Sequence, residues 1–279
     1  MTLSKKKQVF IHYFPMFGCI CTGIIYGAIG IIALLSFMQI KEGGADESSL
    51  LVFLDDYLAG KILVGLILLG TVSFIIWRLF ESYTDPYKYG DGWIGYGRRT
   101  GIALSSMADA FIAYSAFRVL FGTTGIREDG NPEEEREMVT AVLDMAMGDV
   151  LITLFGGVIL LTAIVQFYYG VTSGYRERLD IAHFRAWKKR LIHWIADIGY
   201  FARGIIIGII GFFYIKAGLE QDAGRVVNTD KAFDFLGDTW SPLFILVALG
   251  TISYAVFMIT QAITYDVDNE EELEDSSPA

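Results

Sequence analysis

Charge is scarce in this chain. Asp, Glu, Lys and Arg make up 19% of its 279 residues, against about 25% in a soluble domain. Histidine occurs three times, at 12, 183 and 193, without the paired spacing of a metal site, so no metal is expected. The two cysteines, Cys19 and Cys21, stand in an apolar run with no polar companions and read as reduced packing residues. No glycine loop leads into a Lys-Ser or Lys-Thr pair, and neither a nucleophile elbow nor a metalloprotease signature occurs. No cofactor and no enzymatic activity are therefore expected. Acids outnumber bases 32 to 22, which argues against nucleic acid as a partner.

What the chain has in excess is apolar residues, 53% of the total, and they come in blocks. Phe14–Met38, Ile62–Phe80, Gly101–Phe121, Val150–Tyr169, Gly204–Leu219 and Leu243–Ile263 are separated by polar stretches. Most approach the ~20 residues that a helix needs to cross a bilayer core. Six spans are expected. Lys5, Lys6 and Lys7 precede the first block, but that block is too long for the core of a secretory signal and no small-residue cleavage site closes it.

Lys and Arg set the orientation. With the N-terminus inside, fourteen fall on the inner side, Arg203 counted among them, and eight on the outer side. Both termini are then cytoplasmic. The tail 267–279, "VDNEEELEDSSPA", is too acidic and too poor in apolar residues to bury a core and is expected to be disordered.

A repeat organises the spans. "GIIYGAIG" at Gly23–Gly30 recurs as "GIIIGIIG" at Gly204–Gly211, and "GIALSSMA" from Gly101 aligns with both. The first, fifth and eighth positions are small in all three: Gly23, Gly27, Gly30; Gly101, Ser105, Ala108; Gly204, Gly208, Gly211. Such positions share one helical face, and in lipid a small-residue face lets two backbones approach. The even spans align as well, with Gly60 against Gly148 and Trp240, which sets Arg78 opposite Gln166 and Gly70 opposite Gly250. Each unit is a two-helix hairpin, so the copies run parallel about an axis along the membrane normal. The expected fold is an all-α membrane protein with approximate threefold symmetry. Its parts are repeat 1 over 9–88, repeat 2 over 89–180, an amphipathic interfacial helix over 181–196, repeat 3 over 194–266 and the acidic tail over 267–279.

The small-residue phrase, the "GYFARG" lead-in at Gly199–Gly204 and "QFYYGVTSGYRERL" at Gln166–Leu179 carry a resemblance. With them the chain resembles a bacterial integral membrane family whose repeated domain has no assigned function. The first copy departs, with "FGCICTG" where an Arg is expected. The resemblance implies a membrane fold and a bacterial inner-membrane address, and brings no reaction with it.

Asp109 is the candidate intramembrane polar residue. It stands at the ninth position of its phrase, where the other copies have Ile31 and Phe212. A carboxylate at that depth costs at least ~2.5–3.5 kcal/mol and must face protein or a water-filled cavity. Either it serves as a proton or cation group, or it is a buried carboxyl held by Ser105 one turn earlier or by a group on another helix. Arg78, Glu81, Gln166 and Gln261 mark the inner ends of the even spans as surface anchors or a solute gate. In "IAHFRAWKKRLIHWIAD", Trp187 and Trp194 share an aromatic face, and Arg185, Lys188, Lys189 and Arg190 point the helix at anionic headgroups. These residues support two functional readings. The first is a non-catalytic membrane module that binds lipid, a protein partner or its own copies. The second is a transporter or channel for a small solute, an ion or protons that uses Asp109.

Overall fold

The structure, a computed structural model, describes residues 5–38, 45, 50–52, 54, 58–85, 90, 92–121, 131–176 and 179–264. The tail 267–279 lies outside them, as do the side chains of Ser105 and Ala108. The helices are α1 (Lys5–Phe37), α2 (Leu58–Thr84), α3 (Trp93–Leu120), α4 (Glu133–Leu143), α5 (Gly148–Thr172), α6 (Ala186–Glu220), α7 (Thr229–Thr239) and α8 (Ser241–Thr264). No strand occurs among the described residues.

Among the described residues five helical stretches are long and apolar enough to cross a membrane: Tyr13–Phe37, Gly60–Thr84, Gly148–Thr172, Ala186–Glu220 and Ser241–Thr264. That is the mark of a multi-pass membrane protein. α3 is as long, but it carries Arg98, Arg99, Asp109 and Arg118 and is not among the five. The long helices pack in chain order and close into a ring, α1 on α2, α2 on α3, α3 on α5, α5 on α6, α6 on α8 and α8 on α1. The α5–α6 and α1–α8 interfaces are the most extensive, and α3 meets α5 only lightly.

Glycine sets the close approaches, and the same pairs recur. A Cβ at Gly30 would lie 2.7 Å from Ile252 and 3.1 Å from the Ala248 carbonyl oxygen on α8. One at Gly211 would lie 2.8 Å from the Leu160 nitrogen and 3.1 Å from the Gly156 carbonyl oxygen on α5. Within the hairpins, Gly18 faces Phe74 and Gly70 faces Cys21, while Gly199 faces Tyr254 and Gly250 faces Ala202. Helices in lipid associate by such close packing, since burial from water supplies no force between them there. Gly101 of α3 departs from the pattern and packs on Val165 of α5, at 3.1 Å from a Cβ.

Two short helices close the end where α1–α2, α3–α5 and α6–α8 are joined. α4 adds Val139 to a cluster with Ile152, Tyr214, Ala217 and Val226. In α7 the Asn228 side chain caps the first turn by accepting from the Lys231 backbone N–H at 3.1 Å, and Phe233 and Leu236 are buried. Asp230 is buried there and accepts from the Ala45 backbone N–H at 2.6 Å, which ties the α1–α2 connection to α7.

The separate interfacial helix expected over 181–196 is corrected. Residues 186–196 are the first turns of α6, which runs unbroken to Glu220. The physical reason is the absence of a breaker: no proline occurs from Ala186 to Glu220, so no backbone N–H is missing from the helical ladder. At 35 residues α6 is about 52 Å long, more than the ~40–45 Å of a whole bilayer.

Candidate functional site

Asp109 lies near the middle of α3 and is fully buried. Its partner is Arg203, near the middle of α6 and 3% exposed, with Nη2 of the guanidinium 3.5 Å from Oδ1 of the carboxylate. Nη1 of Arg203 donates to the Tyr254 hydroxyl of α8. The guanidinium carbon also sits 5.0 Å from the Tyr26 ring of α1 and 4.9 Å from the Tyr254 ring. Desolvated cation–π contacts of this kind are worth up to ~2 kcal/mol each. Four helices thus meet at one cation. Among the described residues the Asp109 Oδ2 and the Arg203 Nε meet no hydrogen-bond partner, so against those residues the pair keeps one acceptor and one donor open.

An aromatic column leads away from this pair. Tyr26 and Tyr254 meet edge to face at 5.3 Å, Tyr254 and Tyr200 at 5.6 Å, and Tyr200 stacks on Tyr175 at 5.5 Å. Phe257 closes against both Tyr200 and Tyr175. The column ends outside the membrane-spanning helices, where the Tyr175 hydroxyl donates to Asp197 at 2.7 Å. Burial, and then that hydrogen bond to Asp197, push the Tyr175 phenol well above its ordinary range. The phenol therefore stays protonated at neutral pH.

The other expected site residues are spread over several helices. Arg203, counted as an inner topological charge, is buried in the bundle. Arg78 and Glu81, expected as surface anchors or a solute gate, are buried, at 6% and 1% exposed. Arg78 lies over the Phe74 ring at 4.6 Å. Gln166 and Gln261 are buried at 2% exposure each. The α2–α3 turn is held instead by Arg99, whose Nε donates to the Ser82 carbonyl at 2.7 Å and whose Nη2 donates to that of Tyr83 at 2.8 Å. Arg185 is the N-cap of α6, and Trp187, Lys188, Arg190 and Trp194 are exposed along its start. No set of three His, Cys, Asp or Glu residues placed to hold a metal occurs among the described residues.

In the sequence Arg203 belongs to the "GYFARG" lead-in, and nothing in the local pattern pairs it. The signal that finds it is an arginine immediately before a small-residue helix phrase in a chain whose one mid-span acid is Asp109.

Two segments, residues 17–85 and 198–265, match the family described as Domain of Unknown Function (DUF1206). The first covers α1 and α2, the second the inner part of α6 through α8. Their starts differ by 198 − 17 = 181 positions, the same offset as the two glycine phrases. Over 265 residues the chain is similar to the uncharacterized protein YxxB of Bacillus subtilis (strain 168), at 28% identity and 94% coverage of each chain. No solved structure matches.

Proposed function

We propose that this chain is a packed module of a bacterial cytoplasmic membrane that catalyses no reaction and acts through what its polar ends bind. In this reading α1, α2, α3, α5, α6 and α8 all span, as three parallel hairpins with approximate threefold symmetry, and both termini face the cytoplasm. Trp187 and Trp194 then lie at the inner headgroup layer, with Arg185, Lys188, Lys189 and Arg190 within reach of anionic lipid. A protein partner or a second copy has the loops and the tail to dock on. The recurrence of Gly18–Phe74 as Gly199–Tyr254, and of Gly70–Cys21 as Gly250–Ala202, supports the repeat for the first and third hairpins.

The observation that carries the reading is the closure of Asp109 by Arg203. A lone mid-membrane carboxylate calls for a hydrated pathway. A carboxylate matched by a guanidinium between two tyrosine rings acts instead as a bolt across α3, α6, α8 and α1. The unfilled Asp109 Oδ2 and Arg203 Nε favour the second reading, transport of protons or a small ion. One experiment separates them: proton and ion flux in proteoliposomes of the wild type and of Asp109→Asn. Flux no greater than in empty vesicles is expected for both. A wild-type flux that Asp109→Asn abolishes would replace the module with a transporter.

A further inference from the structure

The start of α6 is an unpartnered helix face. Trp187, Leu191 and Trp194 are 60%, 51% and 66% exposed and succeed one another at spacings of four and three. Beside them Arg185, Lys188 and Arg190 are exposed, and Lys189 is half-buried. None of these four cations has a carboxylate partner among the described residues. Lys188 lies over the rings of Phe184 and Trp187, at 5.9 and 5.7 Å. Lys189 donates to the Ala182 carbonyl at 2.7 Å. The nearby acids are engaged elsewhere, Asp180 with His183 at 3.7 Å and Asp197 with Tyr175.

Where the chain leaves α8 decides what can reach this face. The Asp180 backbone N–H donates to the Thr264 carbonyl at 2.7 Å. The end of α8 therefore lies against the short connection that leads into Arg185. Beyond Thr264 the chain reads "YDVDNEEELEDSSPA", seven acids and no base, with Tyr265, Val267 and Leu273 as its large apolar residues. We propose that this C-terminal segment, 265–279, docks on the start of α6 as its counter-charge. Its acids at 270–275 pair with Arg185, Lys188, Lys189 and Arg190, and Leu273 covers part of the Trp187 and Leu191 face.

Reach does not limit the contact, since 15 residues span up to about 50 Å when extended. Covalent attachment beside the target makes the encounter intramolecular, with an effective concentration in the millimolar range for a short connection. The pairing is largely exposed, so it weakens as salt rises. Anionic headgroups have to displace it to reach the same cations. Both partners leave the bundle at the same end, so the docking does not depend on which side of the membrane that end faces.

Zero-length carbodiimide coupling of the full chain in phosphatidylcholine vesicles tests this, with peptide mass spectrometry as the readout. The expected product is an intramolecular amide from Lys188 or Lys189 to one of the acids at 266–275. It should fall several-fold in 1 M salt and in the triple variant Glu270→Gln, Glu271→Gln, Glu272→Gln. The Lys231–Asp234 pair, 2.9 Å apart, is the internal control for coupling. Absence of the tail link while the control link forms would overturn the docking. So would links found only between isotopically distinct copies. Protection of Lys188 from acylation only in phosphatidylglycerol vesicles, without a tail link in either lipid, would assign the face to headgroups instead. None of these results bears on flux, so the module reading stands or falls separately.

Discussion

Arg203 and Asp109 make the sharpest demand on single residues. Removing one member of a buried ion pair leaves the other charge unpaired, at a cost of about 3–5 kcal/mol, whereas removing both is far milder. Asp109→Asn and Arg203→Gln should each lower the melting temperature of the detergent-solubilised protein strongly. The double variant should recover most of the loss, and a double variant as unstable as the sum of the two would show that they do not act as a pair. Tyr254→Phe deletes only the hydroxyl that accepts from the guanidinium. Its expected cost is about 1.5–3 kcal/mol, that of a hydrogen bond to a charged group, and thermal unfolding measures it as well.

At the level of helices, the glycine phrases predict an uneven response to alanine. A Cβ at Gly27 meets Ala255 at 3.4 Å and one at Gly208 meets Ala163 at 3.7 Å, both ordinary contacts. At Gly30 and Gly211 it would collide with Ile252 and with the Leu160 backbone at 2.7 and 2.8 Å. Gly27→Ala and Gly208→Ala should therefore be near neutral. Gly30→Ala and Gly211→Ala should cost ~1–3 kcal/mol through overpacking, with Gly211→Ala the worse because backbone cannot turn aside. Equal effects at all four positions in a melting series would contradict this packing. α7 supplies a pH dependence. Burial alone would lower the Lys231 pKa, but its hydrogen bond to Asp234 and the charges of Asp234 and Asp230 outweigh that and raise it. A raised folded-state value gives stability that is whole below the ordinary lysine range and lost as pH rises through the raised one. The protection of α7 amides, exchange relative to the unfolded chain at the same pH, should accordingly hold to about pH 10 and fall above it, and Lys231→Met should flatten that fall.

The whole molecule is a ring that α8 closes on α1, and a pair of disulfides tests the closure. Gly27→Cys with Ala255→Cys, and Gly208→Cys with Ala163→Cys, bring Cβ atoms near the ~3.8 Å mean of natural disulfides. In a background of Cys19→Ala and Cys21→Ala, both pairs should oxidise within one chain and change its electrophoretic mobility. Failure of the first pair alone would open the ring between its first and last helices.

Much of this architecture is legible in the order of the residues alone. Apolar block length marks the five helices that are long and apolar enough to cross a membrane, because a bilayer forces its helices to be long, apolar and internally hydrogen-bonded. Small residues at the first, fifth and eighth phrase positions point to close packing, and Gly23, Gly30, Gly204 and Gly211 all sit within 3.1 Å of a neighbouring helix when given a Cβ. The register of the repeat hides the polar site. Shared register sets Asp109 nine residues beyond the level of Arg203, about 13.5 Å along the axis, too far for the two to be read as partners. The middle hairpin departs from the other two: Gly101 seats on Val165 of α5, and Asp109 comes to lie beside the guanidinium. The burial of Arg78 and Glu81 is equally out of reach of the sequence, whereas the continuity of α6 is written in its lack of a proline. Composition and periodicity are local properties and determined the helices and their faces. How far each helix slides along its neighbours depends on the sum of all side-chain contacts, and that sum, settled only in the tertiary structure, decided which charges meet.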